Sequence, residues 1–109
     1  MSDALIIDGT SISDSDPCYI IAEIGHNHQG SLEKCKEMFR VARDCGAHAV
    51  KLQKRDNRAL FTQDMYDRPY DNENSYGATY GEHREALEFG RAEFEELQAY
   101  ARTLGVTFF

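Results

Sequence analysis

Polar and charged side chains follow an apolar segment near the start of the chain, in residues 20–31, IIAEIGHNHQGS. Glu23 lies near the end of that apolar segment, which runs directly into Gly-His-Asn-His-Gln-Gly. A tight turn needs only Asn-Gly or Asp-Gly. Two histidines, an asparagine and a glutamine in one loop therefore indicate more than a change of direction. A second segment, AHAVKLQ, carries Lys51 and Gln53 in the same way.

These side chains have the types and positions of a binding site. Side chains alternate along a strand, so Lys51 and Gln53 share one face. Glu23, Lys51 and Gln53 all lie toward the carboxyl ends of predicted strands, where α/β sheets and barrels build their sites. A carboxylate, an ammonium and an amide there suit a polyhydroxylated, anionic substrate. The alternative is that Glu23 and Lys51 form a purely structural salt bridge between neighbouring strands.

Two histidines separated by one residue suggest a different chemistry. His26 and His28 follow the first predicted strand of the sheet and could supply two ligands to a catalytic zinc. A zinc site also needs a third protein ligand and a water position. His48 and His83 have no evident reason to converge on the pair. A metal-dependent barrel hydrolase that uses His26 and His28 is therefore a rival hypothesis.

Hydrophobic periodicity predicts the elements that must position these residues. LIIDG and TSISDSDP predict a short strand, a turn and a polar connection. Apolar runs predict further strands, and apolar residues spaced by three or four predict helices that end at glycines. The predicted elements are strand 18–25, helix 31–45, strand 48–53, a long loop 54–90 with a short helix, helix 91–104 and the start of a strand at 106–109.

The order strand, helix, strand, helix, strand is the βαβαβ order of parallel sheets. It predicts an α/β fold and leaves the closure of the sheet open. A complete eightfold barrel takes roughly 250 residues, so residues 1–109 are predicted to be an incomplete N-terminal part of a larger domain. Three strands without their neighbours expose an edge and an apolar face. On that basis the isolated chain should aggregate, stay partly molten or need partners.

Composition excludes several classes of partner. The formal net charge is −7, from 12 basic and 19 acidic residues, which argues against nucleic-acid binding. No apolar run approaches the ~20 residues that a membrane span needs, and no signal peptide is evident, so a cytoplasmic location is expected. The three cysteines show no C-x-x-C spacing. They are expected to be reduced and mostly buried.

Three blocks of the sequence resemble the N-acetylneuraminate (sialic acid) synthase family. They are IAEIGHNHQGS, AHAVKLQK and YGEHREALEFGRAEFEELQAYARTLGVTFF, in that order and at similar spacing. The first block is the most specific, because the family pattern is Ala-Glu-Ile-Gly, one variable residue, Asn-His, a further residue and Gly. The resemblance runs from about Ile20 to Phe109.

The resemblance implies a fold and a reaction. The chain would be the N-terminal βαβαβ portion of a (β/α)8 TIM barrel, which in such enzymes is joined to an antifreeze-like domain. These transferases condense phosphoenolpyruvate with an N-acetylated hexose such as N-acetylmannosamine, forming a carbon–carbon bond and releasing phosphate. The product is sialic acid or a related nonulosonic acid.

The resemblance also implies a metal and an assembly. A divalent metal, Mn2+ or Mg2+, polarises the sugar aldehyde in such enzymes, and its ligands would lie outside this chain. The full-length enzyme would be a homodimer. The chain alone would be inactive, because its catalysis needs residues beyond Phe109.

The resemblance implies roles for residues of this chain that match functional residues of the family. Glu23 corresponds to the glutamate that contacts the sugar near the reacting centre, and Lys51 to the lysine that binds phosphoenolpyruvate. Gln53 corresponds to a glutamine near the metal that acts through water. Asn27 and His28 correspond to the Asn-His that shapes the first loop. No metal ligand is predicted within this chain.

Departures from the family pattern bear on the alternatives. His26 occupies the variable position of the first block, which argues against the zinc hydrolase. Leu52 stands where the family has phenylalanine, and Lys54 where a small polar residue is common; both bear on which sugar is used. A third hypothesis is a non-catalytic binding module, in which Glu23 and Lys51 are only a structural pair.

Overall fold

A hairpin opens the part of the chain that the computed structural model describes, residues 3–109. Strand β1 (Leu5–Ile7) pairs antiparallel with β2 (Thr10–Ile12). The two turn residues, Asp8 and Gly9, both have positive φ, 46° and 81°, as a two-residue type I′ turn requires. The sequence pattern predicts only one strand here, and the structure shows a second one, β2.

Three parallel strands form the main sheet. They are β3 (Ile21–Gly25), β4 (Ala49–Leu52) and β5 (Thr107–Phe108), in the order β3-β4-β5. The βαβ connection between parallel neighbours agrees with the predicted α/β class. Glu23 lies opposite Lys51 across the β3-β4 pair.

The hairpin is joined to the far end of the chain by a side-chain hydrogen bond. The Thr107 hydroxyl donates to the Asp8 carboxylate at 2.6 Å. This contact links the β1-β2 turn to the start of β5, so the two sheets meet at the amino ends of the parallel strands.

Two long helices cover one face of the main sheet. Helix α1 (Leu32–Asp44) begins where the Ser31 hydroxyl accepts from the Lys34 N–H, and helix α5 (Arg91–Leu104) ends at Gly105, whose φ is 75°. Alternate strand residues point between the helices and form the core with them. The buried core consists of Ile24, Cys35, Phe39, Val50, Leu52, Phe89, Leu97, Ala101 and Val106. The polar residues of β3 and β4 lie on the opposite face.

The segment between β4 and α5 contains more helix than the sequence predicted. It folds as α2 (Asn57–Leu60), α3 (Gln63–Tyr66) and α4 (Tyr80–Ala86), instead of a loop with one short helix. The side chains of Asp56, Thr62 and Thr79 cap their first turns. Helices of four residues are too short to show a hydrophobic period, so the sequence pattern could not reveal them.

The strands are shorter than the predicted ranges. The strand predicted at 18–25 begins at Ile21, and the one predicted at 48–53 is Ala49–Leu52. Before β3 the Ile20 N–H donates to His48 Nδ1 at 2.9 Å. A side-chain nitrogen therefore accepts the hydrogen bond that a backbone carbonyl would accept in a regular sheet. The strand predicted at 106–109 is Thr107–Phe108.

Two further expectations concern the cysteines and the membrane. All three cysteines are free; Cys35 is buried, but Cys18 and Cys45 are exposed, so the prediction that they are mostly buried is wrong. Both exposed cysteines lie outside the regular elements, next to a proline and at the end of α1, where no apolar face is available. Within residues 3–109, no helix has the length and apolar character needed to cross a membrane.

Candidate functional site

Glu23 and Lys51 form an ion pair on the open face of the sheet. Lys51 Nζ lies 3.0 Å from Glu23 Oε2, with side chains 38% and 47% exposed respectively. Ion pairs with this exposure contribute only about 0–1 kcal/mol to stability. The fold therefore gains little from the pair, and both charged groups remain accessible to a ligand. This exposure favours the functional interpretation over the structural one.

Gln53 extends the pair along the carboxyl ends of the strands. Its side-chain amide donates to Glu23 Oε1 at 3.3 Å. Its carbonyl oxygen accepts from Arg55 Nη2 at 2.6 Å. The structure thus brings together Glu23, Lys51 and Gln53, as predicted from their positions, and adds Arg55, which no sequence motif indicated.

A buried carboxylate, Glu88, holds the loop after β4. Its side chain is 7% exposed, and its Oε2 accepts from the Arg55 backbone N–H and from Lys54 Nζ, each at 3.1 Å. Burial alone would raise the pKa of the Glu88 carboxyl, but the Arg55 N–H, the Lys54 ammonium and nearby His26 outweigh it, and the pKa lies below its usual value. Glu88 is therefore ionised at neutral pH.

His26 contacts the same carboxylate from the loop after β3. Its Nε2 lies 2.8 Å from Glu88 Oε1, in an electrostatic contact that lacks the alignment of a hydrogen bond. Glu88 thereby joins the loops that follow two neighbouring strands. Sequence reasoning missed this residue, and its place within the third family-like block, in LEFG, was the only available signal.

His28 is a buried part of the first loop. It is 1% exposed, its Nδ1 accepts from the Gly30 N–H at 3.0 Å, and its ring stacks on Phe89 with centroids 4.0 Å apart. Burial, assisted by the charge of nearby His26, lowers the pKa of His28 from 6.5 to about 4. The imidazole is thus neutral and supports the loop from within.

Asn27 closes the turn at the end of β3. Its side-chain amide and its backbone N–H both donate to the Ile24 carbonyl, at 2.8 and 3.0 Å. Within residues 3–109, neither Asn27 nor His28 hydrogen-bonds to the Glu23 or Lys51 side chains. Their predicted part in substrate binding stays a prediction, and the geometry assigns them to the shape of the loop.

The described residues do not form a metal centre. No group of three or more His, Cys, Asp or Glu side chains in residues 3–109 is arranged to hold an ion. The His26 and His28 rings meet edge to face with centroids 5.8 Å apart, and His28 Nδ1 accepts from a backbone N–H. The carbonyl oxygen of Gln53 already accepts from Arg55. Among the described residues, the His26–His28 pair lacks the third ligand that a zinc site needs.

The lowered pKa of His28 makes stability depend on pH. The unfolded chain takes up this proton near pH 6.5 and the folded chain only near pH 4, so the stabilisation is complete above pH 6.5 and declines as the pH falls toward 4. We expect urea unfolding to show a loss of about 2–3 kcal/mol between pH 7.5 and 4.5 relative to a His28→Asn variant. Asparagine can still accept from Gly30 but cannot titrate. Parallel pH curves for the two proteins would contradict the assignment.

Together, the fold and the site define a class of protein. A parallel βαβαβ unit that carries its polar groups at the carboxyl ends of the strands is typical of α/β barrel enzymes. The sequence profile of the NeuB family matches residues 38–109. The chain therefore belongs to the NeuB family.

Relatives named as synthases match most of the chain. N-acetylneuraminate-9-phosphate synthase of Mus musculus is 44% identical over 100 residues, and that of Drosophila melanogaster is 48% identical over 93 residues. The N,N'-diacetyllegionaminic acid synthase of Legionella pneumophila is 35% identical over 92 residues. These matches cover 92%, 85% and 84% of this chain. The chain spans only 28%, 25% and 26% of the relatives' own lengths.

Solved structures agree with these relatives. An N-acetylneuraminic acid synthetase from Leptospira borgpetersenii, crystallised with citrate, superposes with a TM-score of 0.71 at 28% identity, over 100% of this chain and 34% of that one. The spore coat polysaccharide biosynthesis protein SpsE of Bacillus subtilis gives 0.66 at 27% identity, over 96% and 26% of the two chains. The predicted fold class, the N-terminal βαβαβ portion of a (β/α)8 barrel, is confirmed.

Proposed function

We propose that the chain forms the first part of a synthase that condenses phosphoenolpyruvate with an N-acetylated hexose and releases phosphate. The single observation that carries the proposal is the exposed Glu23–Lys51 pair, with Gln53 beside it, at the carboxyl ends of β3 and β4. Membership of the NeuB family and relatives named as synthases of nonulosonic acids support it.

Each group of the site has a role in this reaction. Phosphoenolpyruvate carries a carboxylate and a phosphate, and the Lys51 ammonium is an accessible cation that suits either one. Glu23 is an acceptor for the hydroxyl groups of the sugar, and the Gln53 amide faces one of its oxygens as a donor. Lys51 would bring the enol carbon to the sugar aldehyde, and positioning of this kind is a major part of catalysis.

We further propose that the hexose carries a phosphate on its sixth carbon. Phosphoenolpyruvate contributes the first three carbons of the nine-carbon product, so carbon 6 of the hexose becomes carbon 9. A product phosphorylated at carbon 9, as the names of the mouse and fruit-fly relatives state, therefore requires N-acetylmannosamine 6-phosphate. The relative named for an unphosphorylated product has a lower identity, 35%.

The divalent cation and the assembly also belong to the proposal. We place the ligands of Mn2+ or Mg2+ outside this chain, as the resemblance to the family implies. When bound, such a cation supplies Lewis-acid polarisation of the sugar carbonyl. A homodimer is proposed from family membership.

The test is a phosphate-release assay on the complete enzyme that contains this chain. Phosphoenolpyruvate is supplied with N-acetylmannosamine 6-phosphate or with N-acetylmannosamine, and the product mass is measured. We expect turnover with the phosphorylated sugar and a kcat/KM at least about tenfold lower without the sugar phosphate, the factor for about 1.4 kcal/mol. If neither sugar leads to phosphate release, the proposed function is wrong. A preference for N-acetylmannosamine would overturn only the proposal that the sugar is phosphorylated.

A further inference from the structure

The Gln53 side-chain amide can be oriented in two ways, and only one of them suits its neighbours. A glutamine side chain can present either its carbonyl oxygen or its NH2 group to a neighbour. Glu23 is a carboxylate and needs a donor. The Gln53 NH2 group faces Glu23 Oε1 at 3.3 Å, and that contact alone is too long to hold the side chain firmly.

Arg55 fixes this choice from the other side. Its Nη2 donates to the Gln53 carbonyl oxygen at 2.6 Å. A guanidinium has only donors, so the reversed amide would place NH2 against N–H and lose the contact. With the carbonyl oxygen held by Arg55, the NH2 group is left to face Glu23.

Arg55 is itself held by a buried group. Its backbone N–H donates to Glu88 Oε2, which also binds Lys54 Nζ, while the other oxygen of Glu88 contacts His26. The Glu88 side chain is 7% exposed, so little water competes for these contacts. The start of the loop after β4 is therefore fixed against the loop after β3, and the arginine side chain extends from a fixed backbone.

We propose that Arg55 is a positioning residue for the active site, acting through the Gln53 amide on Glu23. The inference rests on the proposed synthase function and assigns Arg55 no contact with substrate. This positioning role explains why Arg55 lies two residues beyond Gln53, although Lys51 of the Glu23–Lys51 pair already supplies a cation at this end of the strands. Glu88 anchors the backbone from which Arg55 acts.

A double-mutant cycle on the complete enzyme tests the proposal. We expect Arg55→Ala to lower kcat about tenfold, with less than twofold change in KM for either substrate. Gln53→Ala should lower kcat by a similar factor. In the Gln53→Ala background, adding Arg55→Ala should lower kcat by less than twofold, because the contact between the two side chains is already lost. Arg55→Lys keeps a donor and should restore part of the loss.

The control is Arg91→Ala, which removes an arginine whose side chain is 91% exposed and paired with Glu95 on helix α5. It should leave kcat and KM unchanged. Thermal unfolding of all variants separates a lost fold from a lost orientation.

The outcomes distinguish the two proposals. If the unmodified enzyme does not consume phosphoenolpyruvate, the synthase function fails first. If the enzyme is active, a tenfold loss on Arg55→Ala that persists in the Gln53→Ala background overturns the positioning role. A rise in KM for the sugar phosphate at constant kcat would instead make Arg55 a direct substrate contact and would equally overturn it.

Discussion

Replacement of Lys51 by alanine, or of Glu23 by glutamine, is expected to lower kcat/KM of the complete enzyme about 100- to 1000-fold, the range seen when a preorganised polar group is removed from an active site. Lys51→Ala should act mainly through the KM for phosphoenolpyruvate, because it removes the cation that meets that substrate. Glu23→Gln should act mainly on kcat, because the glutamate lies where the sugar reacts. Steady-state kinetics with each substrate varied in turn measures both effects.

A second lysine–glutamate pair supplies the matched control. Lys36 Nζ lies 2.7 Å from Glu96 Oε1 and joins α1 to α5 on the helical side of the sheet. Lys36→Ala and Glu96→Gln make the same chemical changes far from the strand ends, and activity should stay within twofold. If all four variants behave alike, Glu23 and Lys51 are only a structural pair and the binding-module hypothesis prevails.

Replacement of Gly30 by alanine is expected to destabilise the protein by about 3 kcal/mol. Gly30 has a φ of +76°, and an added Cβ would lie 2.5 Å from the backbone carbonyl oxygen of Ala86. The left-handed backbone costs an alanine about 1 kcal/mol or more, and overpacking against a backbone atom costs roughly 1–3 kcal/mol. Denaturant unfolding measures the change.

Gly105→Ala separates the two causes of that loss. Gly105 has nearly the same φ, +75°, but nothing lies within 4 Å of its added Cβ. It should cost only about 1 kcal/mol. If the two substitutions lower the free energy of unfolding equally, the packing of the first loop against α4 is not tight. A larger loss at Gly30 would show that this approach fixes the loop containing His28.

The sequence predicted the parts of the fold that follow a repeating pattern. Helices α1 and α5 are long enough for their apolar residues to recur over several turns, and their caps and terminal glycines follow known preferences. The pairing of Glu23 with Lys51 followed from strand alternation and from the shared direction of parallel strands. Strand β2 was missed because Thr-Ser-Ile is too short and polar to show alternation, although Asp8-Gly9 is a strong hairpin signal.

The rest of the site depends on contacts between distant residues. Glu88 meets Arg55 across 33 positions, and no local pattern encodes such a distance. The burial of His28 depends on the position of Phe89, whose ring stacks on it. That position is determined only by the packing of α4 and α5. Thr79-x-x-Glu82 is a capping-box pattern that the sequence prediction did not use, and the structure shows both halves of that box at the start of α4.

The hydrogen bond between Asp8 and Thr107 joins residues that are 99 positions apart. The hairpin can therefore pair its own strands as soon as they are made, yet it gains this contact with the main sheet only after β5 exists. Closing a loop of that length costs about 4 kcal/mol of chain entropy, more than one hydrogen bond returns. Attachment of the hairpin to the main sheet thus follows the assembly of the parallel strands and helices.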